Sequence, residues 1–116
     1  CNNLETTVFL NFSHSRLTRE IPSELGNLTN VTSLSLRSNQ LTGEIPSEIW
    51  DLTDFYYLSL TGNELTGEIP PEIGNLTYLD VLDLNSNQLT GEIPEEICNL
   101  THYPSFTSLY LNNNQL

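Results

Sequence analysis

Residues 34–46 read LSLRSNQLTGEIP, and closely similar stretches return at residues 58–70 and 82–94, each 24 residues after the last. A partial copy closes the chain at residues 109–116. It is displaced by 27 residues rather than 24, and a three-residue insertion near residues 103–105 accounts for the difference. Self-similarity at a fixed period of about 20 to 50 residues is the signature of repeat architectures. This period is too long for a coiled-coil heptad and too short for a propeller blade.

Each copy contains the elements of one turn of a solenoid. The Leu34-x-Leu36 step has the period of two that is typical of a strand, and Asn39 and Gly43 then mark turns. Pro46 is expected to open a short 3₁₀ or helical turn, in which apolar residues stand three apart. The apolar side chains of one such coil cannot be buried by that coil alone, so the coils must stack.

An asparagine recurs at the point where each strand turns away. Because a side-chain amide can both donate and accept hydrogen bonds, a stacked column of asparagines is expected to satisfy backbone groups that the turn leaves unpaired. The glycine four residues later allows a bend that a side chain would hinder. The column comprises Asn39, Asn63, Asn87 and Asn114.

The pattern Leu-x-x-Asn-x-Leu-Thr-Gly-x-Ile-Pro resembles the plant-specific class of leucine-rich repeats. This class occurs in the ectodomains of plant receptor kinases and in polygalacturonase-inhibiting proteins, and the resemblance covers roughly residues 7–116. It implies an α/β solenoid, a right-handed superhelix with a parallel β-sheet on the concave face and short 3₁₀ or helical turns on the convex face. It also implies a second, shorter sheet at the Gly-x-Ile-Pro segment.

The first and last copies are atypical, as the terminal repeats of a solenoid are expected to be. In the copy at residues 10–22, Ser15 replaces the asparagine and Arg19 replaces the glycine. The last copy stops at Leu116 in mid-repeat. We therefore expect residues 1–116 to form a single domain of about five 24-residue coils, as a fragment that lacks one or both end caps.

The two cysteines, Cys1 and Cys98, are not expected to pair with each other. Four coils at about 4.8 Å each separate them by roughly 19 Å, whereas a disulfide needs Cα atoms within about 7 Å. Cys1 resembles the last cysteine of the capping segment that precedes the first repeat in plant relatives. Its partner would then lie outside the chain, and Cys98 either bonds to a C-terminal cap or keeps a reduced thiol.

The balance of charge is strongly acidic, with fifteen acids against three bases and a formal net charge of −12. Such a surface repels phosphate backbones and anionic headgroups, so neither nucleic acid nor direct membrane contact is expected. Sequons suggest glycosylation and an extracellular location, either secreted or as a cell-surface ectodomain. The candidates are Asn11, Asn27, Asn30, Asn75 and Asn99, of which three belong to a repeated Asn-Leu-Thr that is open to a structural interpretation.

The residues that flank the buried leucines on each strand are expected to face solvent on the concave side. They form three columns: Phe9, Ser33, Tyr57, Val81 and Ser108; Asn11, Ser35, Ser59, Asp83 and Tyr110; and Ser13, Arg37, Thr61, Asn85 and Asn112. Tyrosine is favoured at recognition surfaces because it is large and has few rotatable bonds. We predict a ligand-binding face anchored by Tyr57 and Tyr110. A solvated sheet without a ligand is the alternative, and a glycan on Asn11 would cover one end.

Catalysis and metal binding find little support in the sequence. His14 and His102 lie in different coils, and neither has an evident nucleophile beside it. The glutamates before each Ile-Pro form a straight column, whereas calcium needs about six to eight converging oxygens. We expect no enzymatic activity, no cofactor and no metal.

The sequence thus predicts a non-catalytic recognition module that binds a protein, peptide or glycan ligand through its concave sheet. One alternative is a secreted inhibitor of a foreign enzyme, since the polygalacturonase inhibitors use the same face. Another is a structural or adhesive module that stacks through its open ends. Ice binding requires flat rows of one residue type, and the mixed concave columns disfavour it.

Overall fold

The computed structural model describes residues 8–102 and 108–116, which contain eight short strands and four 3₁₀ helices. The strands are β1 (Val8–Asn11), β2 (Thr18–Glu20), β3 (Val31–Ser35), β4 (Gln40–Glu44), β5 (Tyr57–Ser59), β6 (Glu64–Thr66), β7 (Val81–Asp83) and β8 (Ser108–Tyr110). The helices are η1 (Ser23–Asn27), η2 (Ser47–Asp51), η3 (Pro71–Asn75) and η4 (Glu95–His102).

The larger sheet takes one strand from each coil and confirms the predicted solenoid. Its five strands are all parallel, in the order β1-β3-β5-β7-β8. Parallel neighbours need a crossover connection, which the turns and the 3₁₀ helix of each coil supply. Leu82 pairs with Leu109, so the longer last step keeps the leucines in register. The insertion near residues 103–105 lies outside the described residues.

The smaller sheet confirms the second sheet that the resemblance implies. Strands β2, β4 and β6 are parallel neighbours, and an isolated bridge between Glu68 and Thr90 extends the pairing to the next coil. The first three coils therefore contribute strands to both sheets, first at the Leu-x-Leu step and then at the segment that follows the asparagine position.

Prolines open the 3₁₀ helices on the convex side, as predicted. Pro22, Pro46 and Pro70 are the N-cap residues of η1, η2 and η3, and all three have extended backbone. Proline suits this position because its fixed φ is compatible with the extended backbone that enters each helix. The prediction of short 3₁₀ turns is confirmed.

The core is a stack of apolar side chains running from coil to coil. The second coil shows the pattern: its buried apolar residues are Leu34, Leu36, Leu41, Ile49 and Leu52, and Ile45 is partly buried and packs against the core. Trp50 and Phe55 are the largest fully buried side chains. Each fully buried leucine contributes about 1.5–3 kcal/mol relative to an exposed one, but only while a neighbouring coil covers it.

The asparagine column ties each coil to the one before it. The Nδ2 of Asn63 donates to the carbonyl oxygens of Leu60 in its own coil (2.9 Å) and Leu36 in the preceding coil (3.0 Å). Its Oδ1 accepts the backbone N–H of Leu41 at 3.1 Å. Equivalent bonds are made by Asn39, Asn87 and Asn114. The predicted role of this column is confirmed.

Gly67 shows why each full copy keeps a glycine after Leu-Thr. Its φ of +84° lies in the left-handed region, and a Cβ built there would lie 2.7 Å from Cγ of Glu44 in the preceding coil. The same backbone conformation recurs at Arg19, where φ is +69°. The first copy therefore keeps the bend without the glycine.

Replacing Asn63 with alanine tests the column. Asn63→Ala leaves the buried N–H of Leu41 without its partner and removes one of the two amide donors from each of the carbonyl oxygens of Leu36 and Leu60. The free energy of unfolding should therefore fall by about 1–3 kcal/mol. Urea denaturation followed by circular dichroism measures the change. The control is Gln40→Ala, an exposed position on the same solenoid, where a change within about 0.5 kcal/mol is expected. Equal losses in both variants would contradict the proposed role of Asn63.

Candidate ligand-binding face

The structure places the predicted columns side by side on the larger sheet. Phe9, Ser33, Tyr57, Val81 and Ser108 are successive Cα partners across the five strands, and so are Asn11, Ser35, Ser59, Asp83 and Tyr110. The residues of the third column lie two residues after the ends of the strands. Backbone hydrogen bonds between coils keep them aligned: the N–H of Ser38 donates to the carbonyl of Thr61, and the N–H of Gly62 donates to the carbonyl of Asn85. The predicted residues therefore share one face.

Exposure divides this face into a rim of large side chains and a half-buried middle. Phe9 and Tyr110 are 62% and 45% exposed, and Arg37 and Asn112 are exposed as well. The half-buried residues are Ser13, Ser33, Tyr57, Thr61, Val81, Asp83, Asn85 and Ser108. The face thus offers aromatic and cationic groups at its ends rather than an even polar surface.

The expectation that every column residue faces solvent was wrong for Ser35 and Ser59. Their relative exposures are 7% and 0%. Both point to the concave side by strand alternation, but a serine side chain is short, and neighbours in register on both adjacent strands keep water from it. These two residues form the floor of the face.

The face contains buried polar atoms with and without hydrogen-bond partners. The Oγ atoms of Ser13 and Ser35 lie 2.8 Å apart and share a hydrogen bond. The Oγ of Ser59 and the Oδ1 of Asn85 are buried and have no hydrogen-bond partner among the described residues. An unpaired buried polar group costs free energy, so these atoms are the least satisfied part of the face.

Sequence reasoning missed Tyr56, an aromatic residue at the edge of the face. Its ring meets the ring of Phe9 edge to face, with centroids 6.1 Å apart and planes at 81°. Phe9 lies in β1 and Tyr56 directly precedes β5, so the contact crosses the coil between them, whose strand presents the short Ser33. The Tyr56-Tyr57 doublet was the only signal in the sequence.

A groove of about 380 Å³ lies in front of this aromatic pair. Its walls include Phe9, Tyr56 and Tyr57, and its polar lining includes Arg37, Ser33 and Asn11. The Oδ1 of Asn11 accepts the backbone N–H of Ser13 at 3.0 Å. No acidic residue lines the groove within the described part of the chain.

The other sequence candidates lie elsewhere or outside the described residues. The five sequon asparagines are all exposed, although the Nδ2 of Asn99 lies against Gly74 of the preceding coil. His14 and Cys98 are exposed, and Cys1 is outside the described residues. Within residues 8–102 and 108–116 there is no cluster of three or more histidine, cysteine or acidic side chains suited to a metal ion. No helix in that part of the chain is long and apolar enough to cross a membrane.

Parallel strands, asparagine column and 3₁₀ turns together define a leucine-rich repeat solenoid. The sequence profile described as Leucine Rich Repeat matches residues 6–28, 30–52, 55–76 and 78–100. The chain belongs to the leucine-rich repeat family, and its repeats are of the extracellular plant type. No curated protein sequence matches it significantly.

Several solved plant structures are similar to this chain. One is the ectodomain of the receptor kinase GASSHO1/SCHENGEN3 from Arabidopsis thaliana, solved in complex with CASPARIAN STRIP INTEGRITY FACTOR 2. It is 41% identical to this chain, with a TM-score of 0.79, and the match covers 84% of this chain and 11% of the receptor chain. The plant peptide hormone receptor RGFR1 in complex with RGF2 is 30% identical over 90% of this chain and 20% of its own, with a TM-score of 0.80. A plant ice-binding protein is 38% identical over 93% of this chain and 33% of its own, with a TM-score of 0.80. The chain thus spans 11% to 33% of the length of these proteins.

The two floor serines give a matched test of the face. Ser59→Ala removes a hydroxyl that has no partner, so the free energy of unfolding should stay unchanged or rise by up to about 1 kcal/mol. Ser35→Ala removes the bond to Ser13 and should lower it by about 0.5–1.5 kcal/mol. Chemical denaturation of both variants measures the difference. A loss at Ser59 as large as the loss at Ser35 would show that the Ser59 hydroxyl has a partner.

Proposed function

We propose that the chain is a non-catalytic recognition module whose concave face binds a peptide or protein ligand. The proposal depends on one observation: within each coil, the inward and outward positions of the strand differ in how much their residues vary. Inward positions repeat the same leucines and asparagines, whereas outward positions in the same strands vary and include exposed Phe9 and Tyr110. A rigid sheet that presents varied aromatic side chains has the anchors that interfaces concentrate their binding energy on.

A peptide suits the dimensions of this face better than a folded partner does. The three columns hold fifteen residues, fewer than the roughly 20–30 per side that stable interfaces between folded proteins use. An extended peptide needs less area and can place single side chains in separate depressions. Two of the similar proteins support this class, since one is a peptide hormone receptor in complex with RGF2 and the other is in complex with CASPARIAN STRIP INTEGRITY FACTOR 2.

An extracellular location, secreted or as a cell-surface ectodomain, goes with this function. GASSHO1/SCHENGEN3 is a membrane receptor kinase and the matching part is its ectodomain. The five exposed sequon asparagines of this chain are accessible to glycosylation at their surface positions. A secreted inhibitor of a foreign enzyme would use the same concave face, so it is a special case of the proposal with a protein ligand.

Ice binding, the property named for one similar protein, fits this surface less well. The concave columns mix aromatic, polar and charged side chains. In the smaller sheet, each threonine pairs with a glutamate of the preceding coil: Thr42 with Glu20, Thr66 with Glu44 and Thr90 with Glu68. Hydrated carboxylates therefore interrupt any flat row of one residue type there.

Removing the two predicted anchors tests the proposal. Peptides are first selected on the wild-type protein from a random phage-displayed library, then synthesised and titrated by fluorescence anisotropy. Tyr57→Ala combined with Tyr110→Ala should weaken their binding at least about tenfold, because buried aromatic anchors each contribute more than about 1 kcal/mol.

The matched control is Tyr78→Ala, which removes a tyrosine that is 66% exposed and lies outside the three columns. Its affinities should stay within about twofold of wild type. Unchanged binding to the double variant, or an equal loss in Tyr78→Ala, would place the ligand away from the concave face.

A further inference from the structure

The groove in front of Phe9 and Tyr56 differs in charge from the protein as a whole. The chain carries a net charge of −12, yet among the described residues the groove is lined by one cation, Arg37, and by no acid. The column neighbours of Arg37 are Ser13 and Thr61, both neutral. The guanidinium therefore has no carboxylate in its own column to neutralise it.

Aromatic side chains form the apolar part of the groove that Arg37 also lines. Phe9 and Tyr56 meet edge to face, an arrangement that leaves ring faces open to solvent, and Phe9 remains 62% exposed. Tyr57 is half-buried beside them in β5. An apolar ligand side chain that covers these rings would remove a large aromatic area from water.

The groove lining also contains polar side chains that can form hydrogen bonds with a peptide backbone. Ser33 is half-buried in the groove, and the Oδ1 of Asn11 is already held by the N–H of Ser13. The Nδ2 of Asn11 is the remaining hydrogen-bond donor of this exposed side chain in the groove lining. A peptide carbonyl has the matching acceptor.

We propose that this groove binds an acidic peptide segment in which an apolar side chain lies next to a carboxylate, the apolar group on Phe9 and Tyr56 and the carboxylate on Arg37. This deepens the proposed function and rests on it. Arginine matches the planar carboxylate with two parallel N–H donors, which gives direction as well as attraction. The acidic remainder of the protein repels such a ligand elsewhere, so Arg37 also sets its register on the face.

The experiment compares peptide selections on the wild-type protein and on Arg37→Gln. The full 116-residue chain is produced in bacteria, so that no glycan on Asn11 covers the groove. The wild type should enrich sequences with Asp or Glu next to an aromatic or aliphatic residue, and Arg37→Gln should lose this preference. Because Arg37 is exposed, the variant should unfold at the wild-type temperature, which circular dichroism checks.

A double-mutant cycle then isolates the contact. Changing the acidic residue of a selected peptide to its amide should weaken binding to the wild type about tenfold and should have no further effect on Arg37→Gln. Synthetic peptides with free and amidated C-termini distinguish a side-chain carboxylate from a terminal one. Additive losses in the cycle would overturn the proposal.

Arg16→Gln is the matched control, because it removes the same charge from an exposed position outside the groove. It should leave the preference for acidic peptides intact, and an equal effect would show long-range attraction instead of a contact. If binding of the selected peptides depends on Tyr57 and Tyr110 but the peptides show no acidic preference, this inference is wrong and the proposed function is still supported. A library that yields no enriched peptide, or peptides indifferent to both sets of variants, would overturn both.

Discussion

Each coil of this protein depends on the next one to cover its leucines and to supply its hydrogen-bond partners. Leu34, Leu58 and Leu82 are buried only because they stack in register. The asparagine amides fix that register, since Asn63 bonds to carbonyl groups of two successive coils. Hydrophobic burial supplies the stability of the stack, and the polar column specifies a single alignment of its coils.

This division leaves the concave positions available for recognition. A strand alternates its side chains between two faces, so the residue beside a buried leucine can change without disturbing the core. The first three coils use that freedom to place Phe9, Tyr56 and Arg37 around one groove. Phe9 lies in β1, Tyr56 directly precedes β5 and Arg37 follows β3 by two residues. The ordered sheet thus limits the freedom of their backbone, which lowers the conformational entropy that binding would otherwise cost.

The period of 24 residues was sufficient to predict the solenoid, the sheet register, the inward residues and the role of the asparagines. Those features follow from repetition, because equivalent positions in stacked coils become neighbours. The membership of the three columns followed for the same reason. The second sheet came from the resemblance to a family, not from the periodicity.

Features that depend on side-chain size and direction could not be read from the repeat. Ser59 is buried because its neighbours shield a short side chain, and the ring of Tyr56 reaches Phe9 across an intervening coil. The left-handed backbone of Ser38 and Ser86 was also hidden, since only Gly62 marks the equivalent turn as unusual. Each of these is a local packing result that a pattern of residue types does not encode.

In the proposed function, outward residues of the larger sheet bind the ligand, while the inward residues and the asparagines only hold the fold. Amide NMR of the isotope-labelled protein, titrated with a peptide selected on it, tests this most directly. The largest shifts are expected at backbone amides of β1, β3, β5, β7 and β8, and the side-chain amide signals of Asn39, Asn63 and Asn87 should not move. Largest shifts in η1 to η4 or in the smaller sheet would contradict it.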